Sequence, residues 1–249
     1  VETIERVFAN ALASEAFTRL GTRRGVWDVS RDCDRPVPVT LHSRATGSLR
    51  RLKAGKPIPG IELVMLTPCR RCLVCLRKKA RLWRYRALSE IQVAPRTWFG
   101  TLNTRPDFDV WCDHVAATET RDFWSLPLEK KFAPRVKVMG REVTKYLKRV
   151  RKNSGVPIRY LLVSEQHNSE NTSDWKRGRP HFHMLVHEYP NSPMRKHFLD
   201  DAWHHGFSQW RLTRDQEAAW YVSKYITKSN DARVRASLDY GSPPLIAFE

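Results

Sequence analysis

The sequence has no uninterrupted apolar run of about 18 residues, so nothing in it reads as a helix that crosses a bilayer. No GxxxxGK[ST] segment occurs, which excludes a P-loop helicase module from this chain. The opening VETIERVFANALASEAF lacks the basic start and apolar core of a secretory signal. It is instead helical in period, with Ile4, Val7, Phe8, Ala11 and Leu12 on one face. Internal repeats and low-complexity blocks are also missing. Cysteine is sparse and odd in number: Cys69, Cys72 and Cys75 cluster, while Cys33 and Cys112 stand alone. That pattern is not a secreted disulfide framework, so the expected setting is a reducing cytoplasm. Acidic residues are scarce too. There are 26 Asp and Glu against 44 Lys and Arg, a formal charge of +18. So basic a chain calls for a polyanionic partner, and nucleic acid is the commonest.

What remains is a chain with 41% hydrophobic residues, enough to bury a folded core. Composition divides it into an N-terminal helix with an irregular extension (1–66), a Cys-rich basic helix segment (67–94) and an α+β domain with a short tail (95–249). In the last, the hydrophobic period switches repeatedly. Strands are expected at Thr97–Leu102, Arg159–Glu165, His181–His187 and Phe207–Leu212. Helices are expected at Arg141–Arg151, Met194–His205 and Asp215–Lys228. The fold class is therefore α+β: a central antiparallel sheet of about five strands with flanking helices, in the split β-α-β style.

Two segments carry chemistry. In RPHFHML, a strand sends His181 and His183 to one face and Phe182 to the other. Two imidazoles on one face can share a metal ion, and Glu165, ending the preceding strand, can come opposite His181 as a third ligand. The bland alternative is a pair of half-buried sheet histidines. In AAWYVSKYITK, Tyr221 and Tyr225 share a helix face with Lys224 beside them. A phenol is a weak nucleophile unless a metal polarises its target and a cation offsets the charge; otherwise these are core tyrosines.

Two further features concern binding. Cys69, Cys72 and Cys75 are spaced to converge on Zn²⁺, but a closed structural site needs a fourth ligand. Cys33, Cys112 or a histidine could supply it. The following helix carries Arg77, Lys78, Lys79, Arg81 and Arg84 after Arg70 and Arg71, with no acid before Glu90. Trp83 and Tyr85 interleave with these charges, as suits phosphate contact and base stacking. His187, His197, His204 and His205 read as structural.

HFH followed by YVSKYITK resembles the HUH endonuclease superfamily (His, bulky hydrophobic, His), nearest to the rolling-circle replication initiation proteins of microviruses, small single-stranded DNA phages. WFGTLNT at Trp98–Thr104 is similar to that family's first motif, departing from it at Gly100 and Asn103. PCRRCLVC at Pro68–Cys75 and the basic helix after it resemble the family's Cys-rich lead. The resemblance runs from about Thr67 to Lys228. It implies a metal-dependent, site-specific nicking endonuclease and strand transferase. Mg²⁺ or Mn²⁺ would sit on His181, His183 and Glu165, and Tyr221 or Tyr225 would form a 5′-phosphotyrosine and free a 3′-OH primer. Lys224 would contact the phosphate. Tyr225 is the expected first nucleophile, since it directly follows Lys224. Single-stranded DNA and replication-origin DNA, host helicase and DNA polymerase are the implied partners, in the cytoplasm of a bacterial host. A plasmid initiator, relaxase or transposase would share this chemistry. A non-catalytic nucleic-acid binding protein would need only the basic helix.

Overall fold

A computed structural model describes residues 4–13, 23–43, 50–51, 60–167, 176–214, 216–228 and 233–241. The chain divides into two compact units, Val1–Leu76 and Arg77–Glu249, and the compositional segment 67–94 is shared between them.

In the first unit, α1 (Ile4–Ala13) precedes a four-stranded sheet of β1 (Arg23–Asp28), β2 (Val37–Ser43), β3 (Arg50–Arg51) and β4 (Ile61–Thr67), in the order β1-β4-β2-β3. Val7 and Ala11, one helical turn apart, bury against Ile61 and Leu63 of β4, with Trp27 and Leu41 at the margin. The strand-rich reading of this region therefore holds, and the expected helix is present. The side chains of Phe8 and Leu12 lie outside the described residues.

Helix α2 (Leu73–Val93) begins in the first unit and continues in the second. The second unit then runs β5 (Thr97–Leu102), α3 (Pro106–Glu119), α4 (Leu128–Ser154), β6 (Ile158–Gln166), β7 (Pro180–Glu188), α5 (His197–Asp200), β8 (Ser208–Thr213), α6 (Gln216–Lys228) and β9 (Val234–Ala236). Its five strands are ordered β8-β5-β7-β6-β9, and every pairing is antiparallel. The expected α+β class and five-stranded antiparallel sheet are what the molecule has. β5 and β6 are joined through α3 and α4 and leave one position between them, which β7 fills by folding back on β6. This is the split β-α-β arrangement.

β7 is buried along its whole length, as befits a central strand with a helix layer on each face. Phe182, Met184 and Val186 enter a core with Val143, Tyr146, Leu147 and Val150 of α4. Leu185 enters the opposite core, with Leu161 and Val163 of β6, Ala80 and Ala87 of α2, and Ala219, Val222 and Ile226 of α6. The histidines of β7 are in step with Leu185, so they face the layer that contains α6.

Three expectations need correction. The helix expected over Met194–His205 is confined to His197–Asp200. Leu199, Ala202 and Trp203 are still buried, but turns carry the last two, and hydrophobic spacing alone does not separate turn from helix. α4 extends well beyond Arg141–Arg151 on both sides, and Pro134 is accommodated in its N-terminal half. α3, with Pro106 at its start, has no counterpart among the expected elements. Gly100, unusual in a strand, stands opposite Trp210 of β8, whose ring occupies the space a Cβ would need.

Candidate metal and tyrosine centre

Register builds the centre. Glu165 of β6 pairs directly with His181 of β7, and Thr101 of β5 pairs with His183. Glu165 Oε2 lies 2.9 Å from Nε2 of both His181 and His183, and the two Nε2 atoms are 3.0 Å apart. All three side chains are largely withdrawn from solvent. Three ligand atoms thus converge on one point, as expected from the sequence, and can hold one metal ion. Thr101 Oγ1 is 3.1 Å from His183 Nδ1. With Nδ1–H donating to that hydroxyl, the Nε2 lone pair is directed at the carboxylate corner. His181 is positioned by packing instead: His167 stacks on its ring at 3.9 Å. Burial, together with the neighbouring His181 and Lys176, lowers the His167 pKa to about 4, so it stays neutral.

Helix α6 lays its tyrosines over this triangle. Tyr225 stacks face-to-face on His183, with ring centroids 4.2 Å apart and planes 9° apart. Tyr221, one turn earlier, meets His183, Phe99 and Tyr225 edge-on at 5.5, 5.3 and 5.1 Å. Their environments differ sharply. Tyr225 is 3% exposed and Tyr221 36%. Burial, then a hydrogen bond to Tyr221 and the nearby Glu165 charge, push the Tyr225 phenol far up. Lys224 Nζ lies 4.0 Å from the Tyr221 ring centroid and 5.1 Å from that of Tyr225. The i, i+4 face inferred from the sequence is therefore real, but only Tyr221 is open to a ligand.

The basic residues separate into groups. Arg84 Nε is 3.4 Å from Ser223 Oγ, and its guanidinium lies over Trp220, which is 52% exposed beside Tyr221. Arg77, Lys78 and Arg81 are exposed on the same stretch of α2, with Lys79 partly so. Arg70 and Arg71 are exposed in the first unit. Arg179, which opens the RPHFHML motif, has an internal role: its Nη1 lies 3.3 Å from Asp113 Oδ2, a carboxylate also held by Arg135 at 2.6 Å. Sequence reasoning gave Thr101, Phe99 and His167 no part in the site. Thr101 lies within the first-motif resemblance, but only strand pairing shows that it faces His183.

Cys69, Cys72 and Cys75 lie together with Cys33, whereas Cys112 is buried in the α3–α4 core of the other unit. Backbone N–H groups of Arg71 and Cys72 lower the Cys69 pKa to about 6, and burial pushes Cys75 up to about 12.

Residues 123–230, which span Glu165, both histidines, Lys224 and both tyrosines, match a family model described as replication-associated protein of the ORF2 and gene-2-protein type. The chain is also 24% identical over 219 residues to the replication-associated protein VP4 of Bdellovibrio phage phiMH2K. It is related to phage replication-associated proteins. The VP4 match covers 80% of this chain and 60% of that relative, so the chain spans less than two thirds of the relative's length. No solved structure matches. Among the described residues, no helix is long and apolar enough to cross a membrane.

Proposed function

We propose that this chain initiates rolling-circle DNA replication as a metal-dependent, site-specific single-strand endonuclease and strand transferase. The observation that carries the reading is the stacking of the α6 tyrosines on His183, one corner of the Glu165–His181–His183 triangle. The kinship with phage replication-associated proteins supports the same process.

Glu165, His181 and His183 would hold the ion. Their 2.9–3.0 Å separations match the edge of an octahedron with bonds of about 2.1 Å, roughly 3.0 Å, better than a tetrahedral edge of about 3.4 Å. That geometry and the mixed nitrogen and oxygen donors fit Mg²⁺ or Mn²⁺. When bound, such an ion supplies Lewis-acid polarisation of a phosphate oxygen.

The phenolic oxygen of Tyr221 attacks the scissile phosphorus. An O–P bond to tyrosine forms and the P–O3′ bond breaks. The phenol loses its proton to solvent, and the departing 3′ oxygen takes one up. The products are a 5′-phosphotyrosine and a free 3′-OH, which a host helicase and DNA polymerase could use in the bacterial cytoplasm. Lys224 offsets the charge that develops on phenolate and phosphate. We assign the first attack to Tyr221, replacing the sequence-based preference for Tyr225, because Tyr221 is accessible and Tyr225 is sealed against His183. Tyr225 then serves the second transfer, after the first tyrosine is occupied. Trp220 and Arg84, with the exposed cations of α2, provide a stacking surface and phosphate contacts for single-stranded DNA.

The test is incubation with labelled single-stranded origin DNA and Mn²⁺, followed by a denaturing gel. A protein-linked strand is expected, and peptide mapping should find it on Tyr221. Cleavage at the normal rate by the Tyr221→Phe/Tyr225→Phe double variant would overturn the mechanism.

A further inference from the structure

The thiol cluster lies in the first unit and has no part in the proposed nicking chemistry. We propose that Cys33, Cys69, Cys72 and Cys75 form a closed four-thiolate site for one structural Zn²⁺ ion. Cys33 is the ligand that sequence spacing left open. It lies 36 residues before Cys69, and the parallel pairing of β1 with β4 brings the two together. Asp28 and Leu66 are register partners at the ends of those strands, and Val29 N–H donates to Leu66 O at 3.0 Å. The two chain segments therefore leave the sheet side by side, one toward Cys33 and the other into the Cys69–Cys75 turn.

The geometry is that of a zinc knuckle. Cys33 Sγ lies 4.0 Å from Cys72 Sγ, and Cys69 Sγ lies 4.0 Å from Cys75 Sγ. All four sulfurs fall within 4.8 Å of one another. Zn–S bonds of about 2.3 Å require S–S edges of roughly 3.8 Å, so a contraction of a few tenths of an ångström closes the tetrahedron. All four cysteines are free, and these sulfur separations are about twice a disulfide bond of roughly 2.05 Å.

The backbone is arranged for thiolates. Cys33 Sγ accepts Cys69 N–H at 3.2 Å, while Cys69 Sγ accepts Cys72 N–H at 3.2 Å and Arg71 N–H at 3.4 Å. Arg70 adopts a left-handed conformation, φ 63°, which costs a non-glycine residue energy and turns the next two N–H groups onto one sulfur. Four soft donors leave no open coordination position, so the role is structural, and Zn²⁺ suits the set.

The experiment measures bound metal in the full chain, purified without added metal, by elemental analysis. A His181→Ala/His183→Ala variant excludes metal held at the other centre. About one zinc per chain is expected in both proteins. Zinc should be lost in Cys33→Ser and retained in Cys112→Ser. Cys33→His keeps a possible ligand and guards against simple misfolding: it should still take up Co²⁺ and show a tetrahedral spectrum, shifted from that of the parent. Absence of zinc, iron in its place, or full zinc in Cys33→Ser would each overturn the assignment.

Discussion

The same threonine–histidine pair occurs twice on one face of β7, with opposite outcomes. Thr101 pairs with His183 and Thr97 with His187, four residues along. In both, threonine Oγ1 meets histidine Nδ1, at 3.1 and 2.9 Å. What differs is the other nitrogen. His183 Nε2 points at Glu165 and His181, under the tyrosines of α6. His187 Nε2 is closed by Tyr240 Oη at 2.7 Å. Tyr240 is itself pinned in place: Gly241 N–H donates to Glu90 at 2.6 Å, and Glu90 is bonded to Arg159. Burial keeps the Tyr240 phenol protonated, so it donates to Nε2 while Nδ1–H donates to Thr97. Both histidines can thus use one tautomer, and a third group decides whether the free nitrogen binds a ligand or is consumed inside the protein.

Exchange at the open end gives the largest expected effect. Losing the polarising ion costs several kcal/mol, so His183→Ala should slow nicking by about 10³-fold. His187→Ala should leave nicking intact in the folded protein and lower its melting temperature. Equal loss of activity in both variants, with both folded, would erase the distinction.

The closed end should instead reveal itself through pH. Burial lowers the His187 pKa to about 4, below its usual value near 6.5. Above pH 6.5 the residue is neutral, folded or unfolded, and its contribution to stability is complete. As pH falls toward 4 the unfolded chain binds a proton that the folded chain refuses, and stability declines by up to about 3 kcal/mol. Denaturant titrations at pH 7 and pH 5 should show this slope for the parent protein and a flatter one for His187→Gln.

A finer comparison removes each hydroxyl. Thr101→Val should weaken Mn²⁺ binding by about 10- to 100-fold, the usual consequence of losing a group that orients a metal ligand. Thr97→Val strands a buried Nδ1–H and should cost about 1–3 kcal/mol of stability with Mn²⁺ affinity unchanged. Calorimetric metal titration and thermal melts separate the two.

The smallest effect concerns delivery of DNA to the open end. Neutralising any one of Lys78, Lys79 or Arg81 should reduce the salt slope of single-strand binding by about 0.7, alike for origin and unrelated sequences. A loss restricted to the origin would make α2 a reader of bases.

The strong periodicities were legible without a structure. β5, β6, β7 and α6 lie within a residue or two of their expected bounds, because strand alternation and helical spacing are local properties. Local spacing also put His181 with His183, Tyr221 with Tyr225, and three cysteines together. Tertiary structure decided the rest. Thr101 is remote in sequence from His183, and Cys33 from Cys69; only strand pairing joins them. Tyr221 and Tyr225 are equivalent on a helical wheel, yet the fall of α6 across β6 and β7 buries one and exposes the other. A sequence period specifies which side chains share a face, but packing sets what that face meets, and that decides which nitrogen, thiol or phenol is left open for chemistry.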